Sequence, residues 1–541
     1  MLQVCLNAPT MQDADGNWVP EPRQNPQYTQ FCYTLDFKPG QTTYLDTPVL
    51  PIAAFVGPGN WQLDCEYPSG TPVVRQASAA NNAGPYVSTT NRRLTIWSMG
   101  RVNVPDPLAD RVDGTVGGGS NLKLVERDFG FGDTQGRVWI GTTEITGANV
   151  VSWTADSIVV DVPAGAATGQ LRIRRSNSME TVHGLTITID KPEAQVHHVT
   201  LGQSIQAAID AAKPGDLIIV QPGTYLEMLV MTKPIQLQGW GAATTIINPV
   251  QSPTEKIAAW RDKLNYLANC THEIGLLPNQ PNNAAGSGAC GFVPGTGLFA
   301  NEEGAGVLVA PAAGVFGGAV ARIDGFTISG ADQSGGVLVN GYATGLEISN
   351  NIIRNNQGPY AAGIRVGQPL LLQVDDATGT ETPVDAQNDN IRIHHNHVTQ
   401  NGGLFEAGAG IGLYTGSDGY QVSRNYVCGN NAGGNGAGVA HYGLSTNGRI
   451  ADNKILFNQA FDQTVANSGN GGGIAVAGYA IVGGGTPGVG SVDIERNLIQ
   501  GNNAGSGRGG GISVQLAAQG GGNNQQKLVP ILNNAIPTNE P

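Results

Sequence analysis

The chain has 541 residues, of which 78 are glycine; only 13% are charged, 40% are hydrophobic, and the formal net charge is −13. Such a length calls for several domains, the hydrophobic fraction argues against a disordered chain, and the acidic balance lacks the basic footprint that nucleic acid or an anionic membrane would require. No stretch approaches the ~18 apolar residues of a membrane helix, and none of the six cysteines stands in CxxC spacing, which sets aside zinc and thioredoxin-like chemistry.

Low charge with abundant Gly, Asn and Thr suits an extracellular all-β protein. The N-terminal MLQVCLNAPT has no basic n-region, so an exported protein would be represented here by a mature form or an excerpt. Residues 1–120 read as short strands separated by turns, among them FCYTLDF (31–37), TTYLDTPVL (42–50) and RLTIWSM (93–99), and predict a β-sandwich. DADGNW (Asp13, Asp15, Gly16, Asn17) has part of a calcium-loop pattern but no distal bidentate Glu, and reads as an Asp-Gly turn. This segment resembles the prealbumin-like B repeats of bacterial surface adhesins.

The glycine-rich DGTVGGGSN (113–121) reads as a linker and begins a second module, 121–190. Alternating Val138 and Ile140, Ile158 to Val162, Leu171 and Ile173, and Leu185 to Ile189 predict four or five short strands of a small sandwich. With its FGFGD, V-S-W, S-I-V-V-D-V-P and G-Q-L blocks, the stretch 127–189 resembles IPT/TIG domains. That resemblance implies an immunoglobulin-like spacer or interaction module without catalytic residues.

From residue 197 the pattern changes. Ile205, Ala208, Ile209 and Ala212 share one helical face behind Ser204 as N-cap and before Pro214-Gly215 as stop; strands follow. Five later segments share one frame: ISNNIIRNN, IHHNHVTQN, VSRNYVCGN, IADNKILFN and IERNLIQGN. Each has an apolar residue, Asn three later, an apolar residue five later, and Asn eight later. The first Asn column is Asn351, Asn396, Asn425, Asn453 and Asn497, extended by Asn534; Phe326 takes that place in an earlier copy. A glycine column (Gly336, Gly363, Gly410, Gly438, Gly473, Gly511) accompanies it and suggests a turn with φ > 0. Coils of 28–29 residues, stacked so that apolar residues and amides meet their equivalents, make 197–541 a right-handed parallel β-helix. The fold class is all-β: this solenoid behind two N-terminal β-sandwiches.

Insertions are expected at 251–305, 368–389 and 477–490. The first starts S-P-T-E (Ser252 to Glu255), a capping box with Pro at N1, and places Ile257, Trp260, Leu264 and Leu267 on one face of a helix docked on the flank. Cys270 and Cys290 lie close enough in sequence to be bridged, whereas Cys428 has no obvious partner. Copies end within a coil near Asn534, which predicts an exposed edge or further chain.

Outward columns form surface stripes: Asn350, His395, Arg424, Asp452, Arg496; and Glu347, Arg392, Gln421, Arg449, Asp493. Two readings compete. Alternating charges on neighbouring coils can simply pair (Glu347–Arg392, Arg424–Asp452–Arg496, Arg449–Asp493), or the stripes can form a polar groove for an acidic polysaccharide. Within IHHNH, strand geometry separates His394, His395 and His397, with Asn396 inward, which argues against a metal set. His441 falls in the inward column and is expected to be buried and hydrogen-bonded. Asp375, Asp376, Glu381, Asp385 and Asp389 lie on one acidic loop, which suits either calcium or solvent; no other cofactor is expected. Tyr414 and Tyr442 occupy equivalent outward positions, as a stacked pair or as a platform for a sugar ring.

The solenoid resembles the pectin-lyase-like superfamily, which contains pectate lyases, polygalacturonases, methylesterases, alginate epimerases and non-enzymatic adhesins. The polygalacturonase carboxylate set, the epimerase Asp-Pro-His-Glu and the pectate-lyase Arg-x-Pro-x-x-Arg are all missing, so the fold does not supply an activity. The leading expectation is a secreted or cell-surface, non-catalytic protein for adhesion, matrix building or glycan contact, with a polysaccharide, a surface glycan or another surface protein as partner. Tyr414, Tyr442, His395, Asp452 and Arg496 would be its ligand contacts. The alternative is a lyase or glycoside hydrolase working between the 251–305 and 368–389 insertions, with Asp375, Asp376, Arg392, His394 and Arg424 as catalytic candidates.

Overall fold

Period-two alternation sets the inward face of each solenoid strand. In this computed structural model, which describes residues 2–8, 10–14, 18–23, 31–35, 63–107, 124–287, 290–299, 303–369, 371–375, 377–403, 408–460, 469–478, 487–505, 507–517 and 529–539, Ile348, Ile393, Val422, Ile450 and Ile494 fall in register on successive parallel strands and are fully buried. Three long parallel sheets result, with a fourth, short one made of Gln357–Gly358, Gly402–Gly403, Asn431–Ala432 and Gln459–Ala460. The first has ten strands, from Val196–Val199 to Ile531–Leu532; the second has eight, from Gly223–Tyr225 to Leu498–Gln500; the third has eight, from Leu229–Met231 to Ile512–Gln515. One continuous apolar core fills the coil. The protein is a right-handed parallel β-helix, as the repeats imply. A helix, Ile205–Ala211, covers its first coil: Ser204 caps it by accepting from the Ala207 N–H, and Ile205 and Ile209 are buried.

The asparagine columns are ladders. Asn351, Asn396, Asn425, Asn453, Asn497 and Asn534 are linked by side-chain amide bonds of 2.9–3.2 Å. A parallel ladder joins Asn356, Asn401, Asn430, Asn458, Asn502 and Asn539 at 2.9–3.0 Å. Each Oδ1 also accepts the backbone N–H of the preceding coil's Asn, as Asn425 does from Asn396 at 3.0 Å, and each Nδ2 reaches a strand carbonyl. The ladder starts where Phe326 stands, its backbone N–H donating to Asn351 Oδ1.

The glycine column has a different cause from the one expected. None of the six glycines is among the positive-φ residues. They are glycines because coils touch there: a Cβ on Gly410 would lie 2.5 Å from the Gly438 carbonyl oxygen, and one on Gly438 2.5 Å from that of Gly473. The left-handed backbone occurs instead one residue before each ladder Asn, at Asn350, His395, Arg424, Asp452, Arg496 and Asn533, with φ between 53° and 60°.

In the first insertion a helix, Thr254–Asn269, packs Ile257, Trp260 and Leu264 onto Met228, Val230, Leu308 and Leu338 of the flank. Its N-cap is Pro253, without a side-chain hydrogen bond, so the helix begins one residue too late for Ser252 and Glu255 to form the expected capping box. Cys270 and Cys290 are bridged. The second insertion is a hairpin, Leu372–Asp375 with Thr380–Pro383. Most of 477–490 lies outside the described residues, as do 42–50, 113–121 and Asp15 to Asn17.

The N-terminal part is organised differently from the expectation of a boundary near 120. A five-stranded sheet joins Thr143–Ile145, Arg137–Ile140, Gly169–Arg174, Leu185–Ile189 and Tyr86–Val87; a four-stranded sheet joins Val150–Trp153, Ser157–Asp161, Arg93–Ser98 and Val74–Ala79. Residues 74–98 thus share both sheets, and one core, with 137–189 and do not build a sandwich of their own. Further upstream, Leu2–Leu6 pairs antiparallel with Phe31–Leu35.

This sandwich is fastened to the solenoid flank. Cys428, which the sequence leaves without a partner, is bonded to Cys65 across 363 residues. Beside the bond, Tyr67, His183, His397 and Tyr426 are all buried. Tyr67 Oη lies 2.7 Å from His183 Nδ1, and its ring meets those of His397 and Tyr426 at 5.1 and 5.0 Å. Burial pushes His183 down to about 4, and burial reinforced by His183 and Arg354 pushes His397 down to about 3. Higher on the interface, buried Asp324 accepts from the Thr186 N–H and hydroxyl (3.1 and 2.7 Å), Gln238 (2.8 Å), Ser349 (2.6 Å) and Asn350 (2.7 Å).

Candidate functional site

The site stands where the first sheet turns into the second, at the foot of the docked sandwich. Strand Arg392–His394 points Ile393 inward, so Arg392 and His394 face outward together. Glu347 is the Cα partner of Arg392 on the preceding coil and reaches both. Its Oε2 accepts from Arg392 Nη2 at 2.6 Å and its Oε1 lies 3.1 Å from His394 Nε2. Burial would raise the Glu347 carboxyl, but the bond from His394 and the charges of His394, Arg392 and Arg322 outweigh it and hold the group at about 2.

The next residue takes the left-handed conformation, φ 54° at His395, which folds its ring back onto its neighbour. His394 Nδ1 and His395 Nδ1 are 2.9 Å apart, with the rings edge to face at 88°. The separation of these side chains expected from strand geometry therefore does not occur; only His397 is set apart, on the second sheet and buried beneath Tyr67. A carboxylate, an imidazole and a second imidazole form an unbroken hydrogen-bonded row. His395 Nε2 has no partner among the described residues, and the ring is half-buried.

The sandwich supplies the other wall. Gln170 and Arg172 alternate on strand Gly169–Arg174 and so share a face. Gln170 Oε1 accepts from Asn350 Nδ2 at 2.8 Å, which directs Arg172 to the next coil, where its charge acts on His395. Arg424, one coil further on, also acts on it. Burial, then His394, Arg424 and Arg172, push His395 down to about 3. Neither Arg172 nor Arg424 makes an ion pair among the described residues, although Arg172 also lies over the Trp139 ring at 5.1 Å.

Other candidates go elsewhere. Asp452 and Arg496 bind each other through two bonds of 2.8 and 2.9 Å, leaving Arg424 outside the pair. Arg449, although the register partner of Asp493, reaches Glu495 at 2.6 Å, on the same face two residues on. Tyr414 is fully buried and meets Tyr360 edge-on at 6.4 Å. It is therefore not a sugar platform, and Tyr442, its register partner, packs in the same apolar cluster. The two insertions touch where Leu277 packs with Val384 and Ala386.

Asp375 accepts from the Ala377 N–H of its own hairpin at 2.9 Å and is not brought to Arg392, His394 or Arg424. Asp385 accepts from the Gln387 N–H at 2.8 Å and Asp389 from that of Asp418 at 3.3 Å. Glu381 lies on the hairpin strand, and Asp376 is outside the described residues. Among the described residues no three carboxylate, imidazole or thiol side chains converge as a metal set, so the calcium reading gains no support. His441 is buried as expected, between Tyr420 Oη and the Val489 carbonyl, each at 2.8 Å. Sequence reasoning did not pick out Arg172, Gln170 or the bond between Glu347 and His394. The last was readable, since Glu347 and His394 occupy neighbouring outward positions on adjacent coils; the other two depend on docking.

A family model described as a right handed beta helix region matches residues 299–460. Cyclomaltodextrin glucanotransferase of Bacillus sp. (strain 17-1) is 34% identical over 96 residues, 16% of this chain and 13% of that protein; the chain thus spans a small part of that relative. Among solved structures, the alginate lyase from Paenibacillus sp. str. FPU-7 is matched at 16% identity over 59% of this chain and 99% of that one, with a TM-score of 0.22. The family 28 exopolygalacturonase of Yersinia enterocolitica is matched at 10% identity over 86% and 85%, with a TM-score of 0.24.

Proposed function

We propose that this β-helix is an extracellular or cell-surface protein that holds a carboxylate-bearing glycan on the stripe emerging from beneath the sandwich. One observation supports the reading above others: Arg172 and Arg424 both act on the half-buried His395 and form no ion pair among the described residues, while Arg392, Arg449 and Arg496 are each neutralised by a carboxylate. Unpaired guanidinium groups at a partly desolvated place suit a ligand carboxylate. On a chain carrying −13 overall, these two guanidinium groups are a local positive patch suited to an anionic ligand. Disulfides such as Cys65–Cys428 suit an oxidising compartment. The IPT/TIG-like sandwich, in this reading, is a wall of the site rather than a free spacer.

Affinity electrophoresis tests the proposal, in gels containing polygalacturonate, alginate or a neutral glucan. Retardation is expected in the two acidic polymers alone, weakening with salt. The double variant Arg172→Ala, Arg424→Ala should bind at least about tenfold more weakly, the loss of one or two charge-assisted bonds. Equal retardation of wild type and double variant, or retardation in the neutral glucan, refutes it. An enzymatic reading is favoured by a separate observation, the Glu347–His394–His395 row.

A further inference from the structure

We infer that the neck of the first insertion holds a buried alkali-metal cation, sodium or potassium, bound by oxygen alone, with Asp332 as its carboxylate and Asn248, Gln251 and Ser334 as neutral donors. The inference is independent of the glycan reading above. These residues stand where the second sheet turns into the third, at another corner of the coil from the stripe.

The chain leaves the solenoid after strand Thr245–Ile247 and re-enters it at Val307–Val309, so Asn248 and Gln251 lead into the insertion and Glu303 leads out. Gln251 ties the two ends together, its Nε2 donating to the Glu303 carbonyl at 3.3 Å. The same Nε2 donates to Asp332 Oδ1 at 2.5 Å, on the equivalent turn of the next coil, between Thr327–Ser329 and Val337–Val339. A Cβ on Gly330, two residues before Asp332, would lie 2.8 Å from Asn248 Oδ1, so this oxygen rests against that turn as well. All four side chains are enclosed: Asn248 is 9% exposed, Asp332 5%, Gln251 3% and Ser334 1%. Yet Asn248 Oδ1, Gln251 Oε1 and Ser334 Oγ have no hydrogen-bond partner among the described residues.

A buried carboxylate and orphaned oxygens on one turn are costly unless something positive meets them. A hard cation does so, because oxygen from carboxylates, amides and hydroxyls is the ligand such ions take. Charge sets the valence. Glu303 is the other acid here, and Arg261 neutralises it through two guanidinium–carboxylate bonds. Asp332 therefore leaves one uncompensated negative charge in the interior; a monovalent ion balances it, whereas a divalent ion would bury one positive charge in excess. With no ion bound, burial pushes the Asp332 carboxyl up to about 7, and the charge of Glu303 adds to this against the bonds from its own N–H and from Gln251. Proton and cation thus compete for the same oxygens, and the ion holds best above pH 7. Bound there, it fastens both ends of the insertion to the second coil.

The test follows thermal unfolding of the full chain, dialysed into choline chloride above pH 7 and then given sodium, potassium or calcium chloride at equal ionic strength. Sodium or potassium should raise the Tm by about 2–4 °C over choline, rising with concentration as a binding site fills, and the ion that acts at the lower concentration is the occupant. The shift should fade below pH 7, as Asp332 takes up its proton. Asp332→Asn removes the charge and keeps an oxygen for Gln251. It should unfold no earlier than wild type in choline and should respond to neither alkali ion, whereas a merely structural Asp332 predicts the same loss of Tm in every salt. A wild-type Tm equal in choline, sodium and potassium overturns the inference, as does an Asp332→Asn variant that keeps the wild-type response. Stabilisation by calcium alone overturns the monovalent assignment.

Discussion

Replacing Asn425 by alanine tests the ladder as the source of the solenoid's stability. Its side chain is 1% exposed. Oδ1 accepts from the Asn396 N–H and from Asn396 Nδ2, both at 3.0 Å, and Nδ2 donates to the Ile393 carbonyl at 2.9 Å and to Asn453 Oδ1 at 3.0 Å. Four bonds are lost, each contributing about 1 kcal/mol net, and no water replaces them in the interior, so the expected loss is about 4 kcal/mol. Asn534→Ala, in a half-exposed copy of the same residue, should cost under about half of this, because solvent can take over the freed groups. Urea unfolding followed by tryptophan fluorescence and circular dichroism measures both, with unfolding rates as the readout if refolding is incomplete. If Asn425→Ala costs under about 1 kcal/mol, or no more than Asn534→Ala, the ladder is not what holds the coils in register.

Gly410→Ala should destabilise by about 1–3 kcal/mol through its clash with the Gly438 carbonyl, whereas Gly402→Ala, whose Cβ would meet only Gln357 Cγ at 3.6 Å, should change the Tm little. Cys65→Ser with Cys428→Ser should cost up to about 6 kcal/mol by the chain-entropy relation for a loop of 363 residues, read as earlier proteolysis of the sandwich at a given urea concentration. Acidification should weaken the structure through His183 and His397. Both titrate lower when folded than when unfolded, so their contribution is complete above about pH 6.5 and is lost as pH falls toward about 4 and about 3. Between pH 6.5 and 4.5 each should forfeit about 2 kcal/mol. His183→Gln should flatten the pH dependence of the urea midpoint; an unchanged slope would contradict the assignment.

The solenoid was legible because its evidence repeats. Asn351, Asn396, Asn425 and Asn453 each carry little information alone, but their common frame records contacts between coils as spacing along the chain. His441 could be placed from the same frame. What the repeat did not contain was lost. The left-handed turn at His395 and Arg424 tolerates histidine, arginine, aspartate and asparagine alike, so no residue type marked it, and its effect of joining two imidazoles was missed. The glycine column was visible, but close approach and positive φ select the same residue. Cys428 and Arg172 depend on a sandwich docking from hundreds of residues away, and no local pattern registers such a contact. The paired charges Asp452–Arg496 and Glu347–Arg392 followed the plain reading of alternating stripes, and the site is what that pairing leaves over.

The Cys65–Cys428 bond has a consequence for biosynthesis. The chain grows from its N-terminus, so Cys65 is made long before the coil that carries its partner. Until strand Tyr426–Cys428 has stacked, Cys65 has a free thiol among four other cysteines that are already present or soon to follow. Its correct partner exists only once more than half of the coils are in place. Formation of this bond therefore reports that the solenoid has been assembled in register, and a trapped Cys65 mixed disulfide would mark molecules whose coils slipped.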